Sequence, residues 1–125
     1  MKSMIIATIS FLAAFAAAQP SPPTVTLQLA NDISGRNANK VITAAGNRYA
    51  LSSLFAGTAV DNNGQIEASS AQLVAFPNHV QCAIFKDRLI SVLTQDHTYA
   101  DLDGDSSKLT VVNLNGAYIE CNAPA

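Results

Sequence analysis

The chain has no tryptophan, only two cysteines and two histidines, and charged side chains make up just 13% of its 125 residues. Each shortage removes a class of function. Without tryptophan, any aromatic platform for a sugar ring has to come from tyrosine or phenylalanine. The few lysines and arginines are scattered, with no basic stripe, so counterion release onto nucleic acid is not supported, and neither is attraction to anionic membranes. No Asn-x-Ser/Thr acceptor, glycine-rich phosphate loop, zinc-ligand spacing or G-x-S-x-G turn occurs, which removes the usual signatures of N-glycosylation, nucleotide binding and serine hydrolysis. There is no long amphipathic helical pattern, no internal repeat, and no second long apolar run after the first eighteen residues.

Those first residues are informative. Residues 1–18 read as a secretory signal, with Lys2 as a minimal positive start, an apolar stretch IIATISFLAAFAA, and Ala16 and Ala18 at the small positions of a cleavage site. Cleavage after Ala18 leaves Gln19 first and takes one basic residue away, so the formal charge of −2 becomes one unit more acidic. The expected destination is extracellular and oxidising, and there two cysteines form a disulfide. Cys82 and Cys121 are the only intramolecular pair available. Each sits in an alternating segment, Val80-Cys82-Ile84 and Ala117-Ile119-Cys121, whose apolar residues share one face of a strand. Closing a loop of about 40 residues contributes roughly 4 kcal/mol by the chain-entropy argument.

Residues 19–23 (QPSPP) form a proline-rich lead-in that cannot join a sheet interior. A single all-β domain is expected over 24–125. Residues 24–30 alternate Val25, Leu27 and Leu29 against Thr24, Thr26 and Gln28, as a half-buried strand does. Residues 31–40 (NDISGRNANK) are dense in turn formers and read as a loop. A short second strand follows at 41–44, ended by Ala45-Gly46-Asn47. Residues 49–55 suit a helix or a strand, and 57–60 an extended run. Asn63-Gly64 between two strand-like runs signals a hairpin. Further strands are expected at 71–76, 80–85, 89–93 and 98–102, the middle two joined by the tight Lys86-Asp87-Arg88 reversal. Residues 109–114 and 118–121 flank Asn115-Gly116 and are expected to pair as a closing hairpin. Phe76 and Phe85, at the ends of apolar strands, are assigned to the core. Short strands with turn signals about every ten residues predict a small antiparallel sandwich or barrel with one disulfide.

Few residues carry recognisable chemistry. His79, His97, Glu67 and Arg88 are the one reasonable acid–base set. Small guanyl-specific ribonucleases of microbes resemble this chain in the Glu120-Cys121 step and in the order Glu67, Arg88, His97; that resemblance implies acid–base cleavage of RNA. The family also places a histidine before its catalytic glutamate, and none precedes Glu67 here. Both histidines follow turn dipeptides, which fits a surface position. The carboxylates of Asp101, Asp103 and Asp105, with Asp96 next, are the candidate calcium ligands, although glycine and glutamate do not fall at the EF-hand positions. No cofactor is implied. Tyr49, Tyr99 and Tyr118 are the candidate contact residues for a ligand.

Several stretches together, VTLQLANDISG, LFAGTAVDNNGQIEASSAQLVAF, NHVQCAIF and the YIEC segment, resemble small secreted proteins of filamentous ascomycete fungi, a group of effector candidates. The resemblance implies a secreted source and no catalytic motif. The expectation is therefore a secreted, non-enzymatic binding protein that contacts an extracellular host protein or a wall polysaccharide, through loops 31–40 and 61–64 or through a sheet edge. A small hydrolase and a calcium-stabilised wall or matrix protein are the alternatives.

Overall fold

The computed structural model describes residues 21–104, 107 and 109–124. Residues 1–20, which include the expected signal segment, lie outside the described residues, as do Asp105, Ser106, Lys108 and Ala125. Among the described residues, eleven strands and one helical turn follow in chain order: β1 (Thr24–Asn31), β2 (Arg36–Thr43), β3 (Ala45–Ala50), α1 (Leu51–Leu54), β4 (Asp61–Asn62), β5 (Gln65–Ala68), β6 (Ser70–Ala75), β7 (Gln81–Lys86), β8 (Arg88–Thr94), β9 (Tyr99–Asp101), β10 (Val112–Asn113) and β11 (Tyr118–Asn122). They form two four-stranded sheets, ordered β2-β1-β6-β9 and β3-β11-β7-β8, and a small third sheet, β10-β5-β4. Every pairing is antiparallel. The protein is an all-β sandwich.

Alternation builds the core. On β1 the residues Val25, Leu27 and Leu29 point inward, and Ile42, Ala71 and Leu73 join them from the neighbouring strands. The other sheet contributes Cys82, Ile84, Leu93, Ile119 and Cys121 to the same buried cluster. Phe55, after the helical turn, is the largest fully buried side chain. Burying a side chain of this kind contributes about 1.5–3 kcal/mol against leaving it in water. Cys82 and Cys121 are bonded, and they are direct register partners on β7 and β11. The staple therefore joins two neighbouring strands of one sheet and does not bridge the two sheets.

Several expectations from the sequence are overturned. Residues 36–40 are strand, because Arg36 to Lys40 pair with Asn31 to Leu27 of β1; cross-strand pairing outweighs local turn preference. Only 32–35 turn. Gly46 and Asn47 lie inside β3. Gly46 has φ 85°, and a Cβ there would sit 3.1 Å from Asn122 Oδ1, beside the register shift in the β3–β11 pair. Glycine is needed at this irregularity. Residues 49–55 divide between strand and helical turn, and 57–60 turn rather than extend. The expected closing hairpin is absent: β10 pairs with β5, while β11 inserts between β3 and β7. Asn115-Gly116 still turns the chain, but between different sheets. Phe76 is 40% exposed, and Phe85 points outward because Cys82 and Ile84 hold the inward positions of β7.

The Asn63-Gly64 hairpin forms as the sequence indicates. Both residues have positive φ, 53° and 91°, which is the requirement of a two-residue turn matched to strand twist.

Candidate functional site

The inward alternation of β1 and β2 runs one pair beyond the core. After Leu29 and Ala38 come Asn31 and Arg36, themselves register partners. They emerge where the apolar filling stops. There a cleft of about 380 Å³ opens, lined by Asn31, Ser34 and Arg36 on one side and by Ala59, Val60, Asn62 and Glu67 on the other. The β1–β2 turn and the β4–β5 hairpin, separate stretches of the sequence, thus meet around a single opening.

Both walls are fixed by side chains that bond to nearby backbone. Asn31 Oδ1 accepts the N–H groups of Ile33 and Ser34, each at 3.1 Å, a local turn that asparagine favours. Asp32 Oδ2 accepts hydroxyls from the buried Ser69 at 2.6 Å and Ser70 at 3.0 Å, and its N–H donates to Ser69 Oγ at 2.9 Å. This clips the turn to β6. On the far wall, Asp61 Oδ1 accepts from Gly64 N–H at 2.7 Å and Oδ2 from Gly57 N–H at 2.8 Å. Asn115 Nδ2 donates to Gly64 O at 2.9 Å, and Asn115 Oδ1 accepts from Ile66 N–H at 3.0 Å. Neither wall needs to order itself on binding, which lowers the entropic cost of association.

The lining is polar. Arg36 supplies a cation, Glu67 a carboxylate that holds Asn62 Nδ2 at 3.1 Å, and Ser34 a hydroxyl. Such a surface suits a ligand with both hydrogen-bond donors and acceptors, and does not suit an apolar one. Arg36 was hidden inside a presumed loop in the sequence. Asp32, Ser69 and Ser70 carry no motif, although the run Asn31-Asp32-Ile33-Ser34-Gly35 has the composition of a side-chain-stabilised turn.

The remaining candidate residues are dispersed. Glu67 is in this cleft, whereas Arg88 lines a separate depression with Lys86 and Asp103. His79 lines a third, beside Gln81, Gln95 and Asp96. Arg88 begins β8 and Thr94 ends it, a rise of roughly 20 Å. The histidines are at the Thr94 end. His79 N–H donates to Gln95 Oε1 at 2.6 Å, and the His97 N–H and C=O both pair with Thr94. The structure brings the two histidines to one end of β8 and keeps Arg88 at the other, so the four acid–base candidates line no common pocket.

Among the described residues, no group of three or more His, Cys, Asp or Glu side chains is placed to hold a metal ion. Asp101 ends β9, where Oδ1 accepts from Tyr99 OH at 3.3 Å, and Asp105 is outside the described residues.

The three tyrosines occupy different environments. Tyr49 faces the space between the sheets, where Thr43 N–H donates to its oxygen at 3.2 Å and the two hydroxyls share a 2.6 Å bond. The Thr43 hydroxyl, and then its N–H, hold the phenol below its ordinary pKa. Tyr99 is 52% exposed. Its bond with Ser70 pulls its pKa down, but desolvation and the charges of Asp101 and Asp32 outweigh that and push it up. Tyr118 stacks on Phe85, centroids 5.1 Å apart, beneath the Arg48 guanidinium at 4.5 Å.

Comparison with protein-family models, with curated proteins and with solved structures finds no match to this chain. No helix among the described residues is long and apolar enough to cross a membrane.

Proposed function

We propose that this protein is secreted and works without catalysis, as an effector-like binding protein that contacts host apoplastic or cell-wall components. The observation that carries this reading is the cleft, in which two hairpins, each locked by its own side-chain bonds, present Arg36, Glu67, Asn62 and Ser34 to one small space. At about 380 Å³ it falls toward the lower end of ligand-pocket volumes, enough for one polar side chain or sugar-sized group of a larger partner. Arg36 would take an anionic or carbonyl group and Glu67 an N–H or hydroxyl donor. A disulfide, Cys82–Cys121, accords with an oxidising destination.

The test is a binding assay of the disulfide-intact chain, without residues 1–18, against the soluble components of plant extracellular fluid and solubilised wall fractions. An Arg36→Ala/Glu67→Gln variant runs beside it. Saturable binding that drops at least tenfold in the variant, with an unchanged melting temperature, is the expected result. Binding indifferent to both substitutions rejects the cleft. Turnover of RNA or glycan by the same preparation rejects the non-enzymatic reading and directs attention to His79 and His97.

A further inference from the structure

The outward face of the β2-β1-β6-β9 sheet is distinct from the cleft. Its register places Asn39 opposite Gln28, Gln28 beside Gln72, and Gln72 beside Tyr99, a continuous row across all four strands. The same face continues through Thr26, its register partner Val41, which is 63% exposed, and Val74 on β6, which is 42% exposed. No lysine, arginine or glutamate takes an outward position on these strands. Two carboxylates border it: Asp101 at the β9 edge, engaged by Tyr99, and Asp32, held by the Ser70 hydroxyl.

A sheet face that had only to stay dissolved would carry interspersed charges of both signs. This one holds uncharged groups instead: the amides of Asn39, Gln28 and Gln72, the hydroxyl of Thr26, and the exposed side chains of Val41, Val74 and Tyr99. Strands about 4.8 Å apart, with outward residues repeating about every 6.6 Å along each, give a flat lattice of groups that both donate and accept.

We propose that this face docks onto a neutral, hydroxyl-rich polysaccharide in its extended, insoluble form. The chemistry selects that occupant. A polyanion, whether nucleic acid or acidic pectin, needs cations that the face lacks. A protein partner needs a compact aromatic or aliphatic centre, and here Val41 and Val74 stand on different strands with Thr26 between them, beside the amide row of Gln28 and Gln72. A neutral glycan offers equatorial hydroxyls to the amides, and Tyr99 at the β9 edge gives one exposed ring for a sugar's C–H face. The proposal takes the extracellular setting from the reading above, but it uses a different surface.

The test is co-sedimentation of the disulfide-intact chain without residues 1–18. The probes are insoluble chitin, insoluble β-glucan and, as the acidic arm, polygalacturonate. Expected is saturable binding to at least one neutral polymer, little to the acidic one, and no more than a twofold change between about 0.05 and 0.5 M salt, since no charge is screened. A Gln28→Lys/Gln72→Lys variant should lose tenfold or more in affinity. Asn39→Lys, at the edge strand, provides a second variant should the double one melt early. Arg36→Ala/Glu67→Gln should sediment like the parent, so failure of the cleft and failure of the face are told apart. Sedimentation with no neutral polymer overturns the proposal. So does binding that survives both lysine variants, that falls with salt, or that is lost only on substituting Tyr118.

Discussion

The outward face of the β3-β11-β7-β8 sheet carries Phe85 stacked on Tyr118 under Arg48, which also lies 3.9 Å from Glu120, with Leu89 and Val92 half exposed beside them. The outward face of the β2-β1-β6-β9 sheet carries threonine, asparagine and glutamine, with Val41, Val74 and Tyr99 exposed among them. Inside, both sheets are apolar, with valine, leucine, isoleucine and alanine in one and isoleucine, leucine and the Cys82–Cys121 bond in the other. Inward positions serve one shared core and converge on similar chemistry. Outward positions are released from that demand and differ. The stapled sheet's aromatic groups satisfy one another, whereas the neutral sheet leaves its polar groups turned to solvent. The first face adds a ring stack and a cation–π contact to stability, and the second leaves uncharged groups open to solvent.

The largest expected effect comes from removing the staple. A Cys82→Ser/Cys121→Ser variant should lose roughly 4 kcal/mol, read as a lower denaturant midpoint, and the loss should vanish when parent and variant are compared under full reduction. Hydrogen exchange sharpens the contrast. Protection should fall first in β7, β8 and β11, and only later in β1 and β6. Equal loss in both sheets would mean that they open as one unit.

An intermediate effect separates the two outward faces. Tyr118→Ala removes a ring stack and a cation–π contact, each worth about 0.5–1.5 kcal/mol, so a total cost of about 1–2 kcal/mol is expected. Gln28→Ala on the neutral face should cost no more than about 0.5 kcal/mol. Chemical denaturation of both variants checks this, and a large cost at Gln28 would remove the division of labour.

The smallest effect is a titration. Ultraviolet absorbance should show Tyr49 ionising below 10.0 and Tyr99 above it, assigned by Tyr49→Phe and Tyr99→Phe. The signs are opposite. Tyr49, depressed by folding, adds stability above its unfolded pKa that is lost as pH falls through its folded value. Tyr99, raised by folding, adds stability below 10.0 that is lost as pH rises through its folded value.

How much of this was legible follows residue by residue. Val25, Leu27 and Leu29 announced β1 because one face is buried and the other wet. Asn63-Gly64 announced its hairpin because few other pairs tolerate two positive φ angles. The cysteines declared their bond by being the only two. Arg36 to Lys40 did not read as strand, since asparagine and lysine favour turns locally and only the partner strand recruits them. The cleft was half legible. The segments 31–40 and 61–64 were expected to carry binding, but that they share one opening depends on the third sheet, whose β10 is two residues long and carries too little alternation to detect. The neutral face was written plainly in the outward residues, yet it becomes a surface only once the register of four strands is known.

The position of β11 between β3 and β7 has a consequence for biogenesis. Its neighbours precede it by more than thirty residues, so until Asn122 is synthesised both expose unpaired edges, the kind of template that recruits other chains. Translation therefore delivers half a sandwich, and the slow, long-range step that completes it comes last. Throughout that interval Cys82 is a lone thiol. A disulfide that reaches it exchanges with it, releasing one thiol and leaving a mixed disulfide, and the Cys121 thiolate then displaces the second thiol to form the native bond.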